Sequence, residues 1–141
     1  HEDGRWSLAL LPDAQDLPQI IERLKSQQTN GGALALLAID EEFFMIIRVL
    51  GSHIKLFLSD ITCAIDYEIA AEFIELCDLE MPEEEDEPFP AGDLDIISDI
   101  GVHRMELSTL CDDPDLFPDE QLEAIASRLG FGEEFTQLLE L

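Results

Sequence analysis

Phe43 to Leu50 is the stretch that most limits what this chain can become. In an extended conformation, successive side chains point to opposite faces. Phe43, Met45, Ile47 and Val49 then line one face, and Phe44, Ile46 and Arg48 the other. Apolar residues on both faces predict a central strand covered on both sides, with Arg48 in need of a partner once buried. Such a strand requires neighbours, and the sequence has two candidates. Ala33 to Ile39 is a short apolar run, separated from it by a turn at Asp40-Glu41-Glu42. Gly51-Ser52 turns the chain into His53 to Ser59, where Ile54, Leu56 and Leu58 alternate with His53, Lys55 and Phe57. That alternation predicts a third, half-exposed strand.

The flanks extend this frame. Glu2-Asp3-Gly4 is a hairpin-type turn signal, followed by Trp6, Leu8 and Leu10 alternating with Ser7 and Ala9. The strand expected before the turn is missing. Because the chain opens on His1 with no initiator Met, its start reads as an expression remnant or the interior of a longer natural chain. Asp16 is placed to cap a helix running to about Gln27, with Leu17, Ile20, Ile21 and Leu24 on one face, and Asn30-Gly31-Gly32 ends that region. Asp60 or Asp66 starts a second helix whose buried face reads Ile65, Ile69, Phe73 and Cys77. Residues 1–80 are therefore expected to form an α+β domain, a mostly antiparallel sheet with two helices.

At 141 residues and 46% apolar content, one domain with a small appendage is the expected scale. Residues 81–92 read as an acidic, Pro-rich linker, since Glu83 to Glu87 places five consecutive acids between Pro82 and Pro88. Beyond it, residues 93–141 read as a C-terminal helical subdomain. Its apolar sets are Leu94, Ile97 and Ile100; Met105, Leu107 and Leu110; Leu122, Ile125, Ala126 and Leu129; and Phe131, Phe135 and Leu138. Pro118 suits a first helical turn, with Asp119 and Glu120 at its positive end. Gly130 suits a helix end, and Gly132 is read as the start of a final helix.

The formal charge is −26, from 33 acids and 7 bases. Nucleic-acid affinity rests on Lys and Arg displacing counterions, so direct nucleic-acid binding is not expected. Docking on an anionic membrane is not expected for the same reason. No apolar run approaches the ~20 residues of a spanning helix, and no signal peptide opens the chain. Cys63, Cys77 and Cys111 are odd in number and widely spaced, which fits neither a zinc site nor a disulfide framework. A reduced cytoplasmic protein without a cofactor is the expectation.

Catalytic patterns are weak throughout. The Glu83–Glu87 run lacks the alternation and Gly turn of a calcium loop, and reads as solvated linker. Asp112-Asp113-Pro114-Asp115 with Asp119 and Glu120 crowds more carboxylates into one loop, but its prolines favour helix capping over a metal. His53 and His103 read as surface histidines. Ser59-Asp60 reads as a strand end followed by a helix cap, with no catalytic pair. Arg48, Arg104 and Arg128 read as internal ion-pair partners.

Several blocks in order give the chain a family likeness. These are Glu2-Asp3-Gly4-Arg5-Trp6, then Gly31-Gly32-Ala33-Leu34-Ala35-Leu36 running into Asp40-Glu41-Glu42-Phe43-Phe44, and Leu58-Ser59-Asp60-Ile61-Thr62. Pro90-Ala91-Gly92-Asp93-Leu94, Pro118-Asp119-Glu120 and Ile125-Ala126-Ser127-Arg128-Leu129-Gly130-Phe131-Gly132 complete the set. Together they resemble the bacterial tRNA adenosine deaminase-associated proteins over nearly the whole chain. The resemblance implies gene neighbourhood with the enzyme that converts wobble adenosine to inosine. It carries no catalytic residues over. The chain itself lacks the H-x-E and P-C-x-x-C elements of a zinc deaminase, since Ile54-Lys55 follows His53 and Arg104-Met105 follows His103.

The resulting expectation is a non-catalytic acidic accessory protein that binds a basic protein partner, the tRNA adenosine deaminase being one candidate, either covering its tRNA-binding face or acting as a scaffold. The expected interaction surface comprises Asp93, Asp95, Asp99, Asp112, Asp113, Asp115, Asp119 and Glu120, where charge is densest: residues 82–141 carry −16, against −10 for the first 81. The competing readings are a small metal-dependent hydrolase built on the carboxylates from Asp112 to Glu120, and an acidic soluble protein with an unrelated basic partner or none. The sequence leaves the oligomeric state open.

Overall fold

The two-sided apolar pattern of Phe43 to Leu50 does become a central strand. In a computed structural model, residues 17–27, 32–39, 42–51, 53–79, 83, 90–98, 101–111, 117–130 and 132 are described. They form α1 (Leu17–Gln27), β1 (Ala33–Ile39), β2 (Phe43–Leu50), β3 (His53–Leu58), a 3₁₀ turn (Ile61–Ile65), α2 (Glu68–Cys77), β4 (Ala91–Gly92), α3 (Arg104–Cys111) and α4 (Pro118–Leu129). The fold is α+β, with an antiparallel sheet in the order β1-β2-β3-β4. Ala91 pairs with Leu58 and Gly92 with Phe57. Gly92 has φ +97 and lies so close to β3 that a β-carbon there would collide with the carbonyl oxygen of Leu56.

Both faces of the sheet are covered. On the first, Ala35, Phe43, Met45, Ile47, Val49, Leu56 and Leu58 pack against Ile20, Ile21 and Leu24 of α1 and Ala70, Phe73 and Ile74 of α2. The Phe43 ring meets Tyr67 edge-on at 5.1 Å. On the second, Phe44, Ile46 and Phe57 pack against Ile96, Ile97, Val102, Leu107, Leu122, Ile125, Ala126 and Leu129. The residues following the acidic stretch thus cover the sheet face that α1 and α2 leave open.

Four details depart from the sequence pattern. In β3, exposure divides by position along the strand and not by face: His53, Ile54 and Lys55 are exposed, while Leu56, Phe57 and Leu58 are buried. The second sheet face is covered only where the C-terminal segments reach it, so Phe57 is enclosed and Lys55 is not. Second, the two candidate caps bracket the 3₁₀ turn, Asp60 at its start and Asp66 at its end, and neither starts α2. Asp60 caps the 3₁₀ turn by accepting from the Thr62 backbone N–H at 2.9 Å, whereas α2 begins later, after Tyr67. Third, this break rotates Ile65 out of the core; Phe73 is buried as expected, Ile69 and Cys77 pack half-buried against the core, and Ala70 and Ile74 complete the buried face. Fourth, Met105 is 80% exposed, since only Leu107 of α3 is fully buried.

Other expectations hold locally. Pro118 occupies the first helical position of α4, and Gly130 ends it with φ 100. His53 and His103 are exposed. Ser59 Oγ accepts the Phe44 backbone N–H at 2.9 Å, as a strand-end group does. The strand at Trp6 to Leu10, the cap at Asp16, Ile100, the linker acids from Glu84 to Glu87 and the helix through Phe135 and Leu138 lie outside the described residues.

Candidate interaction surface

The acids expected to form one surface divide into groups with different tasks. Asp93 follows β4 and is engaged at both carboxylate oxygens. Its Oδ1 accepts the Asp95 backbone N–H at 2.9 Å, and its Oδ2 lies 3.9 Å from Lys55 Nζ. Its own N–H donates to Leu56 O at 3.0 Å. Asp95 pairs with Arg104 at 3.2 Å. Glu120 accepts the Phe117 backbone N–H at 3.3 Å, one half of a capping box at the start of α4. Asp119 sits in the same first turn. Asp99, Asp112, Asp113 and Asp115 lie outside the described residues.

The bases reveal the same internal use. Arg48 and Lys55 stand opposite one another on β2 and β3, two cations on one sheet face. The Asp93–Ile97 segment answers both. Asp93 faces Lys55, and the buried Arg48 guanidinium donates to the Ile96 carbonyl at 3.0 Å. The carbonyl supplies the buried guanidinium with one acceptor from the segment that covers this sheet face. Arg128 of α4 lies 3.3 Å from Glu106 of α3, close enough for an ion pair but without hydrogen-bond alignment. Gln121 adds a donor from α4 to the Leu110 carbonyl. The sequence expectation of pairing within the protein fits Arg104 and Arg128, whose side chains are nonetheless exposed. The pairing of Arg48 with a backbone oxygen could not be anticipated, because spacing reveals nothing about a carbonyl 48 residues away.

Cys63 is the other group with a defined chemistry. Burial, reinforced by Asp60 and neighbouring acids, pushes its thiol up to about 12. Its Sγ lies 3.6 Å from Asp60 Oδ2, to which it donates. A thiol held protonated at neutral pH is a poor nucleophile and a poor metal ligand. Burial also raises the Cys77 thiol. Among the described residues, no cluster of three or more His, Cys, Asp and Glu side chains could hold a metal ion. Among them also, no helix is long and apolar enough to cross a membrane.

Against this geometry, residues 1–132 match a family described as Rv3753c-like tRNA adenosine deaminase-associated protein. Protein Rv3753c of Mycobacterium tuberculosis (strain ATCC 25618 / H37Rv) is 39% identical over 144 aligned positions, covering 99% of this chain and 83% of that protein. No solved structure matches.

Proposed function

The chain belongs to the Rv3753c-like tRNA adenosine deaminase-associated family, and from that premise we propose that it is a non-catalytic accessory protein for a basic, tRNA-handling partner, the deaminase foremost. The observation that carries this reading is the charge of −26 on a chain in which Arg48 is buried and Lys55, Arg104 and Arg128 lie against neighbouring acids. A field of that sign draws a cationic protein by long-range attraction. The family description names an associated protein, which supports an accessory role over the deamination itself. The protonated Cys63 and the absence of a zinc-deaminase motif support it too.

Calorimetry with the deaminase of the same organism, at about 50 and 300 mM salt and with or without tRNA, tests the proposal. Binding at low salt that weakens at high salt is the expected result. Competition by tRNA would identify the covered face as the tRNA site, and indifference to tRNA would identify a scaffold. No heat of binding at 50 mM salt contradicts the proposal.

A further inference from the structure

Around the outer face of α2, large aliphatic side chains are exposed among the described residues. Ala70, Phe73 and Ile74 face the core, while Leu76 is 53% exposed, Leu79 40% and Ile65 37%. Within α2, helical spacing sets Leu76 on the same flank as Ile69, which packs half-buried against the core, and Ile65 is exposed separately on the 3₁₀ turn that precedes the helix. Leu79 lies just beyond the helix end, where its N–H donates to Ile74 O at 3.0 Å and fixes the chain reversal. Leu76 near the end of α2 and Leu79 just past it expose two large aliphatic side chains three residues apart, with Ile65 exposed on the preceding 3₁₀ turn.

What surrounds the strip indicates what covers it. Asp66, Glu68, Glu75 and Asp78 are all exposed beside it. From Leu56 to Val102 the sequence holds fifteen acids and not one Lys, Arg or His. An apolar strip framed by acids is complementary to a cationic amphipathic surface, with aliphatic side chains seated on Leu76 and Leu79 and Lys or Arg reaching the carboxylates. Another copy of this chain would bring like charge against it, and a bilayer with anionic headgroups would be repelled. The acids of the sheet's other side are a weaker candidate, since Asp93 and Asp95 already face Lys55 and Arg104.

We propose that the outer face of the 3₁₀ turn and α2, centred on Leu76 and Leu79, is the docking site for a basic amphipathic helix or surface of a protein partner. This rests on the accessory reading only in taking the partner to be a basic protein. Two probes separate the two ideas: the deaminase, and a synthetic helical peptide with Lys on one face and Leu on the other. Polylysine of equal charge is the control. Leu76→Ser with Leu79→Ser should weaken peptide binding roughly tenfold and leave polylysine unchanged, because only the apolar contribution is removed. Glu68→Gln, Glu75→Gln and Asp78→Asn together should slow association severalfold and flatten its salt dependence. Asp93→Asn with Asp95→Asn should leave the peptide affinity within about twofold. Unchanged thermal midpoints verify that each variant is folded.

Peptide binding indifferent to the leucine pair overturns the docking site. If the deaminase binds the parent protein and the variants equally, the accessory reading stands and the surface is wrong. If the peptide binds at α2 while the deaminase does not bind, the surface stands and the deaminase is the wrong partner.

Discussion

On the side of the sheet covered by α1 and α2, carboxylates stand on the outer face of α2 in a stretch without a single base. On the side covered by α3 and α4, Asp93, Asp95 and Glu106 each face a cation. Both sides bury continuous apolar cores against the same strands. They differ in what their acids do. Charge density along the sequence is highest after residue 81, yet Asp93 there faces Lys55 of β3, Asp95 faces Arg104 and Glu106 of α3 faces Arg128 of α4. Availability of charge is a property of the surface, and counting acids along the chain measures something else.

The comparison is most severely tested in the core. Phe73→Ala on one side and Phe44→Ala on the other should each cost about 3–5 kcal/mol, since both rings are fully buried. Urea denaturation of each variant is expected to show one transition, because β2 and β3 supply both cores. Two transitions in the Phe44 variant would mean that the C-terminal helices unfold by themselves. A smaller effect belongs to the α3/α4 side alone. Arg48→Met should cost about 1–3 kcal/mol by leaving the Ile96 carbonyl without its donor, and amide exchange should rise first at residues 93–98. An unaltered exchange pattern there would show that this bond does not hold the segment.

Cys63 gives the α1/α2 side its own signature. Its thiol ionises near 12 when folded and near 9 when free, so the folded state retains the proton over that interval. The stabilisation is complete below about 9 and declines as pH rises towards 12. Comparing urea midpoints of the parent and Cys63→Ala between those limits should reveal a steeper alkaline loss in the parent. Parallel curves would remove the claim. The smallest effect is expected from Asp95→Asn, whose ion pair with Arg104 is exposed on both partners and is worth about 0–1 kcal/mol.

Much of the sheet was legible in the sequence, because period-two alternation records which faces are buried. Phe43 to Leu50 declared a doubly covered strand, and the two Gly- and acid-marked turns declared its neighbours. The pattern failed where coverage is partial along an element. Phe57 looked like the solvent side of β3 because nothing in its local spacing announces that Ile96 and Ile97 arrive from forty residues further on. Ile65 looked like the first turn of one long helix, since a 3₁₀ turn followed by an α-helix has nearly the same periodicity until the break shifts its phase. That shift is also why the exposed strip on α2 was not visible beforehand. Of the acids expected at the interaction surface, the internal use of Asp93 and Asp95 depends on Lys55 and Arg104, which only the fold brings near.

Amide hydrogen exchange on the complex with the deaminase tests the central claim most directly. The account predicts protection concentrated on residues 65–79, with α3 and α4 exchanging as they do in the free protein. Protection confined to residues 93–129, with the α2 face unchanged, would contradict it.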